Sequence, residues 1–360
     1  MTSTFLLEIG TEELPADFVR LGLKQLDDLV SRDLRENRLL SGSITTTGTP
    51  RRLMVRVDDL QECQDDLTEE RKGPPASQAF RDGSPAPAAI GFAKRCGVDP
   101  NDLEIRETPK GPFVFATVLT PGRDSVSILQ DLIPLWIDAL QGRRFMRWGS
   151  GSQRFSRPIR WLLALLGTEV IPLVLPNGDP EIRSDRFSRG HRLYGEQPLR
   201  IDAAETYEGQ LARVGVVVDR RKRADHIRSA IAAEADQRDG QPNCPDALFE
   251  ELVDLVEEPQ VLCGRIGERF LKLPPEVIST VMQAHQRYVP LDKKGVLPDP
   301  LRLTAEQVLR PEFLVVGNGL KPASDVIIRG NERVLGARLA DAEFFLDVDR
   351  RQSSATRRDA

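Results

Sequence analysis

The sequence is poor in the residues that most often build metal and redox centres. Its 360 positions hold only 4 cysteines and 3 histidines. Cys63, Cys96, Cys244 and Cys263 are scattered without a C-x-x-C, and His191, His226 and His285 lie far apart. That spacing matches no zinc signature, and free thiols in a reducing cytoplasm are the plain reading. No apolar run reaches the length of roughly 18 residues that a transmembrane helix needs. Met1–Gly10 has no basic n-region and no long h-region, which argues against a secretory signal. Excess positive charge is missing too. Fifty Lys+Arg against 55 Asp+Glu give a net −5. This excludes a protein that coats nucleic acid through its overall charge, but not a local basic patch. Gly149-Ser150-Gly151 lacks the remaining glycine of G-x-G-x-x-G and its βαβ setting, and no P-loop occurs. Three lone histidines give no Ser-His-Asp signature. No catalytic residue and no metal ligand is assigned.

What the sequence does have is pattern. Apolar residues make up 40% of the chain and charged residues 29%, enough to build cores with a solvated surface. The length fits about two domains of roughly 100–200 residues. Thr4–Gly10 reads as a short apolar strand. Phe18, Leu21, Leu26, Leu29 and Leu34 predict a helix to about Asn37, with Asp17 as its N-cap. Ser43–Thr47 and Arg52–Val57 alternate like strands across a Thr49-Pro50 turn. Asp58–Glu70 carries seven acids, and several prolines and glycines follow. Residues 58–90 are therefore expected as a linker or an irregular exposed excursion. Ala88–Cys96 predicts a helix, Pro112–Leu119 a strand, and Val126–Leu140 a helix that Pro134 threatens to kink. Ile159–Leu166 and Val170–Leu175 are apolar runs, and Gly178–Ser188 is polar and turn-like. Tyr207–Val214, Asp219–Asp236, Pro245–Val256, Pro275–Arg287 and Ala323–Leu346 read as helices, and Gln260–Ile266 and Phe313–Gly317 as strands. The alternation is irregular and no 20–50-residue repeat occurs, which favours an α+β fold over a doubly wound one.

The strongest local anomaly is Arg143–Trp161. It holds six arginines, and no acid occurs between Asp138 and Glu169. Phe145, Trp148, Phe155 and Trp161 are interleaved. Guanidinium forks suit phosphate oxygens, and aromatic faces suit unpaired bases, so this local +6 is a candidate nucleic-acid surface. The competing reading puts the aromatics in the core and pairs the arginines with acidic stretches elsewhere. A second cluster is Arg183, Arg186, Arg189, His191 and Arg192. A third, Arg220–Arg223, reads as a solvated helix face. His285 closes a helix, where a cation simply caps carbonyls.

In chain order, nine segments resemble one family. They are FLLEIGTEELPA (Phe5–Ala16), TPRRL (Thr49–Leu53), KGPP (Lys72–Pro75), GFAKRCGV (Gly91–Val98), MRWGSGSQRFSRPIRWLLALLG (Met146–Gly167), SRGHR (Ser188–Arg192), LPPEVI (Leu273–Ile278), HQRY (His285–Tyr288) and GNERVLGARLADAEFF (Gly330–Phe345). Together the chain resembles the β subunit of bacterial heterotetrameric glycyl-tRNA synthetase over about residues 4–349. The resemblance implies a cytoplasmic aminoacyl-tRNA synthetase subunit that helps to charge tRNA(Gly) with glycine in an ATP-dependent reaction. It implies an α2β2 assembly whose class II catalytic core, ATP and Mg2+ sit in the α subunit, with no cofactor in this chain and no DNA or membrane partner. Gly330-Asn331-Glu332-Arg333 echoes the end of a class II motif, but lacks the alternating glycines and carries no ATP-site meaning.

The fold implied for 1–322 is an α+β region similar to the tRNA-binding, editing-like domain of phenylalanyl-tRNA synthetase β chains. Residues 323–350 would lead into an HD-type helical domain, and 351–360 would be a disordered tail. Family β chains are much longer, so a truncated chain is expected. Smaller departures are Gly336, Val289 and an apparent insertion at Leu301–Leu309. The candidate tRNA contacts are Arg147, Arg154, Arg157 and Arg160 for phosphates, with Trp148 as a stacking platform. Arg189, His191 and Arg192 form a second set, and His285, Arg287 and Arg333 a third. The alternative is a structural assembly module that binds the α subunit without touching tRNA. An editing hydrolase finds no hydrolytic constellation here.

Overall fold

Strand β1 (Thr2–Thr11) shows why the first sheet forms. Its side chains alternate: Phe5, Leu7 and Ile9 enter one core, and Leu6 enters another on the opposite face. A strand buried on both faces must be a nearly continuous apolar run, and Glu8 is the one charge within it. This computed structural model describes residues 2–351 apart from 82, 176–178, 196 and 297–303. The tail expected at 351–360 lies outside the described residues from 352 onward, as do the first positions of the Leu301–Leu309 insertion.

Helix α1 (Ala16–Glu36) follows. Phe18, Val19, Leu23, Leu26, Val30 and Leu34 form its buried stripe. The expected N-cap Asp17 proves to lie inside the first turn; Pro15 occupies the cap and offers no side-chain bond. Strands β2 (Ile44–Thr49) and β3 (Arg52–Gln61) come next. Residues 58–90, expected as a linker or an irregular exposed excursion, carry regular elements. β3 runs on to Gln61, and β4 (Leu67–Pro75) begins an inserted module completed by α2 (Pro87–Cys96), β5 (Glu104–Thr108) and β6 (Gly111–Thr120). Its three strands order β4-β6-β5. The module has a core of its own, built from Ala79, Ala89, Phe92, Ala93, Cys96, Leu103, Val114 and Ala116. Its stem closes where Gln64 N donates to Arg123 O at 2.9 Å. β4 escapes a pattern search because most of it is exposed, so it is held by its ladder to β6 and not by apolar alternation.

Helix α3 (Ser125–Ala139) continues unbroken through Pro134 and lies beside α1. The Trp136 indole donates to Asp33 at 2.8 Å, joining the two helices. β7 (Ile159–Leu166) pairs antiparallel with β1; β8 (Glu169–Val170) and β9 (Ser184–Asp185) complete a six-stranded sheet of order β8-β7-β1-β3-β2, with β9 parallel to β7. Part of the turn expected over Gly178–Ser188 is therefore strand. Helices α1 and α3 cover one face. Ile201, Ala204, Val216, Val218 and helix α4 (Tyr207–Ala212) cover the other.

Helix α5 (Arg220–Asp236), capped by Asp219, leads to a second sheet. β10 (Gly240–Pro242), helix α6 (Asp246–Val253), β11 (Gln260–Arg265), helix α7 (Pro275–Thr280), β12 (Val289–Lys293) and β13 (Leu309–Gly317) follow, with strand order β10-β12-β13-β11. In β13, Leu314 faces the α5–α6 core, while Phe313 and Val315 face a core shared with α8 (Ser324–Arg351). The α+β class is as expected: small, mostly antiparallel sheets packed against helices. No described helix is long and apolar enough to cross a membrane.

Candidate nucleic-acid interface

The two sheets meet at a buried charge cluster built from strand register. Gly10 sits opposite both Arg52 on β3 and Trp161 on β7. A Cβ on Gly10 would lie 1.8–2.4 Å from the Trp161 indole, so only glycine lets the ring lie over the strand. The Arg52 guanidinium then sits 5.6 Å from that ring. Arg52 is fully buried and donates to Ser188 Oγ at 3.1 Å, Arg189 O at 2.8 Å and Glu257 Oε1 at 3.1 Å, with Glu8 Oε1 at 3.4 Å. Trp161 and Ser188 also donate to Glu8, and Thr49 donates to Glu257 at 2.7 Å. Burial pulls the Arg52 guanidinium down, but Glu257 and Glu8 outweigh it and raise its affinity for the proton. Burial pushes the neighbouring Tyr207 hydroxyl well above its ordinary value.

A second tie lies alongside. Buried Arg223 donates to Val217 O at 2.7 Å, Val218 O at 2.9 Å and Gly48 O; burial draws it down to about 10. Arg220 grips Asp254 at 2.8 Å and Glu250 at 2.6 Å. The Arg220–Arg223 cluster is thus partly an internal clasp and not a wholly solvated face: folding brings Glu250, Asp254 and five backbone carbonyls onto it.

At the exposed rim, Glu12 accepts from Arg160 at 2.8 Å and Arg192 at 2.9 Å, and Arg192 also reaches Glu13 at 3.3 Å. Partial burial raises the Glu12 pKa, and the two arginines more than offset it, so the carboxyl lies below its ordinary 4.5. Arg189 is half-buried with its guanidinium 5.3 Å from the Trp161 ring. His191 is only 2% exposed. Its Nδ1 accepts from Leu193 N at 3.3 Å, so Nε2 carries the proton and donates to Asn318 Oδ1 at 2.9 Å. Asn318 Oδ1 also accepts from Glu257 N and Glu258 N. The histidine therefore ties the segment before α4 to Asn318 at the end of β13, with both ring nitrogens engaged.

The basic segment behaves differently. Phe18, Phe145 and Phe155 stack edge to face and tilted at 5.5–5.8 Å, rooting the segment in the first core. Met146 and Phe155 exchange backbone bonds of 2.9 and 3.2 Å. Arg147 and Arg154, the residues just inside this bridge, are exposed. Beyond them, Ser150 N donates to Asp179 at 2.9 Å, pinning the loop tip. Arg143, Arg144, Arg147 and Arg154 are exposed and have no acid partner among the described residues. Arg143 and Arg154 line a cleft of about 370 Å3 with Asp138, Phe145, Ser152 and Gln153. Arg157 is half-buried and donates to its neighbour Ser156 O at 2.8 Å. Trp148 is half-buried against the core, which leaves it less ring to offer a base than a free platform would.

The third set stands apart, on the second lobe. His285 is exposed at the end of the helical turn after α7. Arg287, at φ 60°, pairs with Glu251 at 2.8 Å, and Arg333 is exposed on α8. Among the described residues no cluster of three or more His, Cys, Asp or Glu side chains is placed to hold a metal.

A family model described as the glycyl-tRNA synthetase beta subunit matches residues 5–360. The chain belongs to the glycyl-tRNA synthetase β-subunit family. The glycine–tRNA ligase β subunit of Synechocystis sp. is 46% identical over 347 residues, covering 96% of this chain and 46% of its own length. That of Trichodesmium erythraeum is 45% identical over 97% of this chain and 48% of its own length. The Moorella thermoacetica β subunit is 40% identical over 99% and 49%. The chain spans about half the length of these curated relatives.

Four of the segments that carry the family resemblance turn out to be neighbours in space. Glu8, Gly10 and Glu12 come from the first, Thr49, Arg51 and Arg52 from TPRRL, Arg160 and Trp161 from the long basic one, and Ser188–Arg192 from SRGHR. HQRY and GNER meet as well: Tyr288 donates to Asn331 at 2.6 Å, and Glu332 accepts from Arg265 N at 2.8 Å. Sequence reasoning missed Glu8, Arg52, Glu257 and Asn318. The available signal was a carboxylate inside an apolar run that is only stable when paired.

Proposed function

We propose that this chain contributes tRNA contacts and subunit contacts to a cytoplasmic glycine–tRNA ligase. In this reading the α subunit, with ATP and Mg2+, forms glycyl-adenylate and passes glycine to the tRNA(Gly) 3′ end within an α2β2 assembly. Residues 1–322 then work as the tRNA-binding, editing-like domain of phenylalanyl β chains does in holding tRNA. The single observation that carries the reading is the exposed group Arg143, Arg144, Arg147 and Arg154 on a loop anchored at both its root and its tip, in a protein of net charge −5. Arginines with no carboxylate to satisfy them are available to phosphate. Engagement of Asn331 and Glu332 in packing contacts supports placing adenylation elsewhere.

The test is tRNA(Gly) binding by the α–β complex across a salt series. Removing Arg147 and Arg154 should flatten the log–log slope by roughly 0.7–0.9 per lost phosphate contact. An unchanged slope and affinity would sink the assignment. The ion pairs of Arg160 and Arg192 with Glu12 favour a second reading for that rim alone, a contact surface for the α subunit. Arg160→Ala and Arg192→Ala would then weaken co-purification with α while leaving tRNA affinity alone.

A further inference from the structure

Two of the family segments, KGPP and GFAKRCGV, take no part in the sites above. They meet in the inserted module. Arg71, Lys72, Gly73 and Pro74 at the end of β4 face Phe92, Arg95 and Cys96 of α2 across a groove of about 660 Å3. The groove has a built floor. A Cβ on Gly73 would lie 2.6–2.9 Å from the Phe92 ring, so the ring closes directly on the glycine backbone. The β4–β6 register shifts between Lys72 and Pro75, so Gly73 and Pro74 sit in a bulge of the strand before pairing resumes at Pro75.

The charged residues that line this groove are all cations: Arg71, Lys72 and Arg95. Along the chain, residues 71–98 hold Arg71, Lys72, Arg81, Lys94 and Arg95 against the single acid Asp82. This follows directly on the seven acids of Asp58–Glu70. Arg71 is paired with Glu69 at 3.4 Å. Lys72 Nζ lies 3.7 Å from the Phe113 ring centre. Lys94 and Arg95 are exposed in the last turn of α2 and have no acid partner among the described residues. They complement the helix dipole there, but that needs one cation and leaves both side chains open to solvent. Phe92 is only 6% exposed, so the groove presents cations without an open aromatic face. Such a surface fits a sugar–phosphate backbone and not the bases.

We propose that this groove is a second RNA site, in which Lys72 and Arg95 of its lining, with Lys94 next to Arg95 on α2, hold a phosphodiester backbone without reading sequence. The assignment rests on the reading that the chain binds tRNA, but uses none of the residues of the basic loop. A groove that holds only phosphates weakens all tRNAs alike when its cations are removed.

The experiment compares three α–β complexes: parent, Lys94→Ala/Arg95→Ala, and Arg147→Ala/Arg154→Ala. Each is titrated with tRNA(Gly) and with a non-cognate tRNA over a salt series, with far-UV circular dichroism and α co-purification as controls. The expected result is a slope lower by about 0.7–0.9 per lost contact in the groove variant, equal for both tRNAs, with folding and α binding intact. A groove variant with the parent's slope, beside a loop variant with a reduced one, overturns the groove and spares the loop. If neither variant moves the slope, both assignments fall. A loss confined to tRNA(Gly) overturns the backbone-only reading. Loss of α co-purification with tRNA affinity retained makes the groove a protein interface and overturns the proposal.

Discussion

Replacing Arg52 with methionine isolates the junction between the lobes. Arg52 is fully buried and contacts both Glu8 and Glu257. After the change, Glu257 keeps the Thr49 hydroxyl and a distant Arg51 at 3.9 Å. Glu8 keeps the Trp161 indole and the Ser188 hydroxyl, but no cation. Breaking a buried pair from one side costs about 3–5 kcal/mol, because the remaining charge is desolvated without compensation. Against a typical total of roughly 5–15 kcal/mol, that is a large fraction. Equilibrium urea unfolding, followed by circular dichroism and tryptophan fluorescence, should show the loss, with Trp161 reporting locally. Adding Glu8→Gln removes the stranded charge, so the double variant should be more stable than the sum of the two single changes. A coupling of about 0.5–3 kcal/mol is the range for touching residues. An Arg52→Met protein within about 1 kcal/mol of the parent, or strictly additive changes, would refute the junction as described.

Three further outcomes follow from the same geometry. Gly10→Ala drives a methyl into the Trp161 indole and should destabilise by about 1–3 kcal/mol or more, with a shifted tryptophan emission; unchanged emission and stability would contradict the register. Phe92→Ala empties the small core of the inserted module and should cost about 3–5 kcal/mol, read as protease cleavage within 67–120 while both sheets stay resistant; simultaneous cleavage of the whole chain would deny the module its independence. The lowered Glu12 pKa gives a pH dependence with a definite sign. A depressed carboxyl contributes stability that is present above its ordinary 4.5 and lost as pH falls through its lower folded value. Urea midpoints of parent and Glu12→Gln should therefore converge below pH 4.5, and a constant gap would show that the carboxylate's ion pairs contribute nothing.

The elements with apolar period were legible and the charged ones were not. Helix α1 announces itself through Phe18, Leu26 and Leu34, and β7 through the run Ile159–Leu166. β4 is a strand of Thr68, Glu69, Glu70, Arg71 and Lys72 whose only reason to be extended is its partner β6, and no local pattern encodes a partner. The arginines divide the same way. Arg160 and Arg154 look alike in sequence, six residues apart. One meets Glu12 from the start of the chain, and the other meets no acid among the described residues. Which arginine is spent internally depends on strand register 148 residues away, so composition alone suggests a uniform +6 surface where folding leaves a smaller one.

That partition also explains how a chain of net charge −5 presents basic ground. Its acids are not spread evenly. Glu8, Asp254 and Glu257 are buried and matched to Arg52 and Arg220, while Glu12 and Glu13 neutralise Arg160 and Arg192. Each pair removes a cation and an anion together from the field that a distant polyanion feels. Exposed ion pairs contribute little to stability, yet they silence charge at the rim. Among the described residues, the exposed cations without an acid partner include the loop around Arg147 and Arg154 and the last turn of α2. Over a Debye length of about 10 Å, a phosphate backbone responds to these local excesses and not to the total. Raising the total from −5 to −3, by Glu276→Gln and Asp325→Asn at the exposed starts of α7 and α8, should therefore raise tRNA affinity much less than removing two arginines from the loop lowers it. An effect of equal size would mean that long-range charge, and not these two surfaces, governs binding.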